Sequence, residues 1–362
     1  MLIIFVDALP SSKKFRIEKL QTASLTPNLG YSVNLHNEIF NGKTPDEMGF
    51  FGEYIYTPDP SKFEKSIFSI LHLIEYVPFK FASLFKIFLR RFFKIRVGQI
   101  PFKLIPYFKR EGKYPFIGEC DSILSRFNCF ITDDLKNGLG NRDKIAIEKA
   151  KSFINDDIKN SNKNIFVSLC DLDGIGHKYG TSSIEYMNRL KFLEKKISQL
   201  IDCYENSNPD QAVIVLSDHG MTDTDDFIDP SNVIKELSKK YSLKFFYDSL
   251  YMHVFIDKFS EETTSNIKSY IKSNLPVHCF SDVERKKYGI TNKRFGDIVF
   301  VINNKLAFSP NLFGFLKMKA YHGYLPESSD NKGVFLHKNI KSEIHNNNVS
   351  SIEANKIIID SL

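Results

Sequence analysis

Four short apolar runs predict strands of a buried parallel sheet, because each is almost continuously hydrophobic. They are Leu2–Val6, Ile165–Cys170, Ala212–Leu216 and Ile298–Ile302. Between them, apolar residues that recur at three- and four-residue steps predict helices, as in Asp143–Phe153 and Ile184–Tyr204. The alternation of strands and helices predicts an α/β fold with a central, mostly parallel sheet flanked by helices.

Polar side chains follow three of these predicted strands. Asp7 comes directly after the first strand, Asp171 and Asp173 follow the second, and Ser217-Asp218-His219 follows the third. Functional groups of parallel α/β sheets collect just beyond the carboxyl ends of the strands. We therefore expect these side chains to meet at one edge of the sheet.

Two segments depart from this alternation and are interpreted as inserts in a single catalytic domain of residues 1–362. Segment 61–114 interleaves phenylalanines with lysines and arginines and is predicted to form a cap over the catalytic face. Its cations could simply extend to solvent around packed rings, or lie on an anionic membrane surface or a lipid-linked phosphate. Single-stranded nucleic acid is the least favoured partner. The second, smaller insert, 232–294, has two predicted strands and a helix: Leu243–Phe246, Tyr251–Phe255 and Glu261–Ser273.

The composition is that of an ordinary soluble globular protein, with 362 residues, 42% hydrophobic and 25% charged, and a net charge of +6. The five cysteines have no paired spacing, which argues against a disulfide framework or a zinc knuckle and favours reduced thiols. The apolar run Leu2–Val6 is too short for a signal peptide or a membrane span, so no cleaved export signal is expected. A cytoplasmic location is expected, with a peripheral position at the membrane as the alternative.

Four separated segments carry candidate metal ligands, three aspartates and three histidines in all. They are Val6-Asp7, Asp173–His177, Ser217–Met221 and Tyr321–Tyr324, each expected in a loop beside a strand end. Mixed carboxylate and imidazole ligands favour zinc, with manganese or magnesium as alternatives. Six such ligands and a hydroxyl oxygen can hold two divalent ions that clamp both oxygens of an in-line displacement at phosphorus.

The motifs Asp173-x-x-Gly-His177, Ser217-Asp218-His219-Gly220 and His322-Gly323-Tyr324 resemble those of the phosphodiesterase/nucleotide pyrophosphatase branch of the alkaline phosphatase superfamily. The resemblance runs from Asp7 to about Tyr324. It implies an alkaline phosphatase-like fold with two zinc ions. One ion would be bound by Asp173, His177 and His322, and the other by Asp7, Asp218 and His219.

The same resemblance implies a serine nucleophile. The family has a Thr or Ser ten residues before a glycine, and counting back from Gly42 leads to Ser32. Asn41 and Met48 stand where the family usually has Thr and His. Glu53 falls where nucleotide-cleaving relatives have an Asn that touches phosphate. A carboxylate there would repel a phosphate unless it met a cation or a hydroxyl of the substrate, so ordinary nucleotides are not the expected substrates.

The expected function is hydrolysis of a phosphodiester or pyrophosphate through a phospho-serine, on a substrate that could be lipid- or glycan-linked. One alternative is a phosphoglycerol- or phosphoethanolamine-type transferase. Another is a catalytically degenerate protein that binds a phosphorylated glycan or lipid. No sulfatase signature surrounds Ser32, and the sequence indicates no oligomeric state.

Six further histidines have no partner motif and are interpreted as structural or exposed: His36, His72, His253, His278, His337 and His345. Asp171 and Asp223 are interpreted as solvated loop carboxylates.

Overall fold

The structure is a computed structural model that describes residues 1–72, 101–115, 122–131, 141–156, 164–312, 314 and 316–362. Its contacts divide the chain into two compact units. The first unit consists of Met1–Thr44, Lys113–Thr224 and Met318–Leu362, and the second of Pro45–Gly112 and Asp225–Lys317. In the part of the chain that is described, no helix combines the length and the apolar character needed to cross a membrane.

The first unit contains the predicted α/β sheet, which has seven strands. In spatial order they are Asn348–Ser350, Gln21–Thr26, Gly333–Lys338, Val213–Leu216, Leu2–Val6, Ile165–Leu169 and Asn128–Phe130. Every pairing is parallel except those of Gly333–Lys338, which runs antiparallel to both of its neighbours. The predicted fold class, a central and mostly parallel sheet, is confirmed.

Helices cover both faces of this sheet, which explains why its three central parallel strands, Leu2–Val6, Ile165–Leu169 and Val213–Leu216, are buried throughout. Leu2, Ile4 and Val6 face one hydrophobic cluster, and Ile3 and Phe5 face the other. Each buried side chain of this size contributes about 2 kcal/mol to the free energy of unfolding. The helices of the unit are Ser32–Asn41, Arg142–Asp156, Asp171–Tyr179, Ile184–Glu205 and Ser351–Ser361. Smaller elements are the antiparallel pair Thr222–Asp223 and Ala320–Tyr321 and the 3₁₀ turns Ile123–Arg126, Ser329–Asn331 and His345–Asn347.

The second unit is built around a four-stranded antiparallel sheet. Its strands are, in order, Leu243–Tyr247, Tyr251–Ile256, Ile298–Ile302 and Val277–Cys279. The assignment of Ile298–Ile302 to the parallel sheet was therefore wrong. A fully buried strand is apolar throughout in either kind of sheet, so hydrophobicity alone does not identify its partners.

The other elements of the second unit are short. Two strand pairs are present, Tyr54–Tyr56 antiparallel to Phe108–Arg110 and Asp226–Ile228 parallel to Leu306–Phe308. The helices and 3₁₀ turns are Pro45–Met48, Lys62–His72, Ser231–Lys240, Glu261–Asn274, Asp282–Tyr288, Phe102–Tyr107 and Lys293–Phe295.

The sequence led us to expect a single domain with two inserts, and the contacts divide the chain into two units. The predicted insert 232–294 lies entirely in the second unit. The predicted cap 61–114 also falls there, except for Lys113 and Tyr114, but its residues 73–100 lie outside the described residues. Its role as a cap stays a prediction.

The helix Ser32–Asn41 has a sharply defined end, which accounts for the ten-residue spacing between Ser32 and Gly42. Gly42 has φ 64°, a left-handed conformation that glycine adopts without strain, and its N–H donates to the carbonyl of Glu38 at 3.1 Å. A Cβ at Gly42 would lie 2.6 Å from Oδ1 of Asn355. The final turn of the helix therefore packs directly against the C-terminal helix.

This helix also contains a buried carboxyl group. Glu38 is fully buried and accepts a hydrogen bond from Nδ2 of Asn28 at 2.8 Å. Burial raises the pKa of Glu38 to about 8, although its hydrogen bonds with Asn28 and Ser351 oppose the shift. The group is therefore neutral in the folded protein near pH 7.

Glu38→Gln should reduce the pH dependence of stability. Between pH of about 4.5 and 8, folded Glu38 keeps a proton that the unfolded chain releases. The free energy of unfolding of the native protein therefore falls as pH rises through this window. Glutamine has no proton to lose, so the fall between pH 5 and pH 8 should shrink by a few kcal/mol in urea unfolding. Glu353→Gln is the matched control: the pKa of Glu353 is lowered, so it titrates below this window. An unchanged fall in Glu38→Gln would contradict a neutral Glu38.

Candidate functional site

Three neighbouring parallel strands deliver the candidate ligands to one edge of the first unit's sheet. Leu2–Val6 lies between Ile165–Leu169 and Val213–Leu216. The N–H of Asp7 donates to the carbonyl of Leu169 at 2.9 Å, which aligns the ends of two of these strands. The segments that follow the three strands therefore leave the sheet side by side, as the sequence predicted.

The first cluster of ligand-capable atoms consists of Asp173, His177 and His322. Asp173 and His177 occupy positions i and i+4 of the helix Asp171–Tyr179, whereas a loop was expected. One turn of helix places both side chains on the same face. Nε2 of His177 lies 3.2 Å, and Nε2 of His322 3.5 Å, from Oδ1 of Asp173. All three residues offer ligand atoms within 4.8 Å of one another.

The second cluster surrounds Ser32. Nε2 of His219 lies 3.5 Å from Oδ1 of Asp7 and 3.2 Å from Oδ2 of Asp218. The same nitrogen lies 3.1 Å from Oγ of Ser32. The hydroxyl that the sequence singled out thus lies beside two carboxylates and an imidazole from three other segments.

The two clusters are adjacent. The rings of His219 and His322 stack with their centroids 3.7 Å apart and an interplanar angle of 6°. Ser32 and all six predicted ligands therefore lie in one buried or half-buried pocket of the first unit.

The sequence interpretation overlooked His36. Its side chain is 2% exposed, and its Nε2 lies 2.9 Å from Oδ2 of Asp218. The atoms of Asp7, His36 and Asp218 also form a group within 4.8 Å of one another. The signal in the sequence is the four-residue spacing from Ser32 to His36, which places both side chains on one face once the segment is helical.

Hydrogen bonds to the backbone fix how two of the histidines face the carboxylates. Nδ1 of His177 lies 2.8 Å from the carbonyl of Ala320, and Nδ1 of His219 lies 2.8 Å from that of Gly220. A carbonyl only accepts, so each Nδ1 carries a proton that it donates, and in the neutral ring Nε2 carries the lone pair. Both lone pairs then point toward carboxylate oxygens. Such an arrangement of acceptors is satisfied by a cation between them.

The pKa values reflect this crowding of charged groups. Burial raises the pKa of Asp7 well above its ordinary value, and the nearby carboxylates of Asp218 and Asp173 raise it further. Burial would also raise the pKa values of Asp173 and Asp218, but neighbouring histidines outweigh it and lower both. The pKa of His322 falls well below its usual value, because the ring is buried and lies next to His219.

The buried oxygens of these carboxylates fit a divalent cation. Among the described residues, nothing donates a hydrogen bond of good geometry to Oδ1 of Asp7 or Oδ1 of Asp173, and Oδ2 of Asp218 is contacted by Nε2 of His36 and Nε2 of His219. Buried carboxylate oxygens normally have a donor or a metal ion as partner. The donor set of aspartate oxygens and histidine Nε2 atoms is also one that zinc binds readily.

Close backbone packing holds the loop that carries Asp218 and His219. Oγ of Ser217 donates to the carbonyl of His219 at 2.7 Å and accepts from the N–H of Leu9 at 2.8 Å. A Cβ at Gly220 would lie 2.0 Å from the carbonyl oxygen of Asp330, so only glycine fits there. The loop is therefore clamped between the segment after Asp7 and the chain that leads into Gly333–Lys338.

The interpretation of Asp171 as a solvated carboxylate was wrong. Asp171 is fully buried and accepts from Nε of Arg142 at 2.7 Å, and Arg189 lies 3.5 Å away. Asp143 receives the N–H groups of Cys170 and Asp171 at 2.9 and 3.2 Å. Burial raises the pKa of Asp143 to about 7, and the adjacent Asp171 adds to the shift. This network anchors the start of the helix that bears Asp173.

Glu53, Asn41 and Met48, where the sequence departs from the family pattern, have the following surroundings. Oε2 of Glu53 lies 3.2 Å from Nε of Arg110 in the second unit, and its role in substrate binding stays a prediction. Asn41 donates from Nδ2 to Oδ1 of Asn37 at 2.6 Å. Met48 ends the short helix Pro45–Met48.

Comparisons with known proteins identify a family and a fold. The sequence model described as type I phosphodiesterase/nucleotide pyrophosphatase matches residues 109–310. This stretch is more than half of the chain and includes Asp173, His177, Asp218 and His219. Asp7, Ser32 and His322 lie outside the match, and the fold brings them to the same pocket.

The fold is similar to solved structures of ectonucleotide pyrophosphatase/phosphodiesterase 5. The match to an inactive murine form in complex with AMP has a TM-score of 0.61 at 13% identity and covers 99% of this chain and 94% of that one. Another murine structure matches with a TM-score of 0.60 at 15% identity, and a structure of the human protein with a TM-score of 0.60 at 12% identity. Each match covers 99% of this chain and 93% of the matched chain. At these identities the likeness concerns the fold.

A shorter match links the chain to a second kind of protein. Over 78 residues, or 21% of this chain, it is 28% identical to GPI ethanolamine phosphate transferase 1 of Yarrowia lipolytica (strain CLIB 122 / E 150). The matched stretch spans only 8% of that protein's length.

The family match over more than half of the chain and the ectonucleotide pyrophosphatase-like fold lead to one conclusion. The protein belongs to the type I phosphodiesterase/nucleotide pyrophosphatase family, within the alkaline phosphatase superfamily.

Proposed function

We propose that this protein is a two-metal enzyme that cleaves a phosphodiester or pyrophosphate bond through a phospho-serine at Ser32. One observation carries the proposal: Oγ of Ser32 lies 3.1 Å from Nε2 of His219, beside Asp7 and Asp218, while the Asp173 cluster stacks against the same ring through His322. A nucleophile, two clusters of ligands and a buried pocket are the parts that phosphoryl transfer by two metal ions requires.

Two groups of residues would hold the ions. Asp173, His177 and His322 would hold one, and Asp7, Asp218 and His219 the other. When bound, two zinc ions would neutralise the charge of the phosphoryl oxygens and lower the pKa of a serine hydroxyl nearby. The backbone carbonyls of Ala320 and Gly220 would keep the two rings oriented with Nε2 toward the carboxylates.

Ser32 is well placed to attack an anionic group. It is the first residue of the helix Ser32–Asn41, so its hydroxyl lies at the positive end of the helix dipole. The N–H groups of the first turn of a helix are natural donors to phosphate oxygens. Phosphoryl oxygens bound there would place phosphorus close to Oγ of Ser32.

The reaction has two displacements. Oγ of Ser32 would lose its proton to solvent and bond to phosphorus, and the bond from phosphorus to the leaving oxygen would break as that oxygen takes up a proton. A second oxygen nucleophile would then lose its proton to solvent and bond to phosphorus, the bond from phosphorus to Oγ of Ser32 would break, and Oγ would take up a proton to regenerate the hydroxyl. Water as this nucleophile makes the protein a hydrolase, and a sugar or lipid hydroxyl makes it a transferase.

Ser32→Ala should lower the turnover of bis-p-nitrophenyl phosphate by at least about 10³-fold, because it removes the attacking oxygen. It should also abolish acid-stable labelling of the protein by a ³²P-labelled substrate. Asp218→Ala should lower turnover similarly and reduce the metal content measured by elemental analysis. Ser32→Ala should keep its metal, since the other ligands remain.

Ser342→Ala is the control variant, because this surface serine hydrogen-bonds only to Asp360 among the contacts that the structure describes. It should match the native rate. If the native protein binds metal but forms no phospho-serine and cleaves no ester of any class, the protein is a binding protein and the enzymatic proposal is wrong.

The transferase alternative is supported by the 28% identity over 78 residues to GPI ethanolamine phosphate transferase 1. Glycerol or a methyl glycoside added to the reaction distinguishes the two activities. A transferase should yield a phosphorylated acceptor in preference to free phosphate product at millimolar acceptor, measured by mass spectrometry. A hydrolase should yield the hydrolytic product in constant proportion regardless of the acceptor.

A further inference from the structure

His36 and Ser32 lie on the same face of one helix. They are four residues apart in Ser32–Asn41, so the helix that begins with the proposed nucleophile also directs His36 into the pocket. Nε2 of His36 lies 2.9 Å from Oδ2 of Asp218. The ring contacts Phe5 edge to face, with centroids 4.8 Å apart, and lies 5.6 Å from the ring of Tyr114. These aromatic neighbours leave the imidazole little freedom to turn.

The two carboxylate oxygens of Asp218 have different surroundings, and His36 lies beside only one of them. Oδ1 accepts the N–H of His219 at 3.0 Å, which ties it to its own loop. Oδ2 is buried and faces both His36 and His219. A carboxylate held at one oxygen can still rotate, and a donor at the other fixes its plane.

We propose that His36 is a positioning residue that fixes the Asp218 carboxylate and so tunes the binding of one of the two ions. This inference rests on the proposed function. A donor behind a ligating carboxylate orients it and typically changes metal affinity by about 10–100-fold. Because His36 shares a helix with Ser32, it also ties the position of the nucleophile to the same ligand.

The arrangement predicts an asymmetry between the two ions. His36 faces the cluster of Asp7 and Asp218, whereas Asp173, His177 and His322 are held by other contacts. Loss of the His36 imidazole should therefore weaken the binding of one ion and leave the binding of the other unchanged. A merely structural histidine would change stability without such a split.

The test is a zinc titration against a chromophoric chelator, with four variants and the native protein. His36→Leu removes the donor at similar volume, and we expect one zinc to bind as in the native protein and the other about 10–100-fold more weakly. His36→Gln retains an N–H donor and should restore the weakened affinity to within a few-fold of native. His337→Leu is the control, because His337 is a buried histidine of the same unit on the strand Gly333–Lys338.

Asp173→Ala removes a ligand of the other cluster and so assigns each binding step to its ion. Thermal melting in the presence of chelator checks that every variant is folded. The inference is overturned if His36→Leu binds both ions as tightly as native, if it weakens both equally, or if His36→Gln fails to restore affinity. A native protein that binds no zinc, manganese or magnesium would instead overturn the proposed function.

Discussion

The electrostatics of three buried or half-buried carboxylates governs the arrangement of this protein's first unit. Asp7, Asp173 and Asp218 follow three adjacent parallel strands, and the sheet forces them together away from water. Carboxylates in such a place repel one another and lose hydration, a cost that positive charge must offset. Imidazoles from four segments surround them, and burial raises the pKa of Asp7, with the carboxylates of Asp218 and Asp173 adding to the shift. A pocket of this kind is suited to cations.

Much of the surrounding structure holds these groups in place. The buried pairs of Asp171 with Arg142 and Arg189 fix the start of the helix that bears Asp173 and His177. Replacing one partner of such a buried pair typically costs about 3 kcal/mol, because the other charge is left without compensation. Tight backbone packing at Gly220 fixes the loop that carries Asp218 and His219. The candidate ligands are therefore held in place before any ion binds, as stabilisation of a transition state by fixed charges requires.

Family membership and geometry contribute different parts of the functional argument. The family match covers four of the six candidate ligands, and the remaining two and Ser32 join them only through the fold. Phosphoester cleavage is a property of the family, whereas the choice between water and an alcohol as acceptor would depend on the approach to the proposed phospho-serine. His36 adds a link within the pocket itself, because one helix carries both the proposed nucleophile Ser32 and His36, whose Nε2 contacts Asp218.

The sequence by itself determined the local features. Continuous apolar runs located three of the seven strands of the first unit's sheet to within one residue, because burial on both faces makes a strand apolar throughout. The motifs also named Asp7, Asp173, His177, Asp218, His219 and His322 as candidate ligands. Only the tertiary structure decided which sheet contains Ile298–Ile302, that Asp171 is buried in an ion network and that His36 faces Asp218. These depend on side chains far apart in the sequence, and a single segment carries no record of the partner that packs against it.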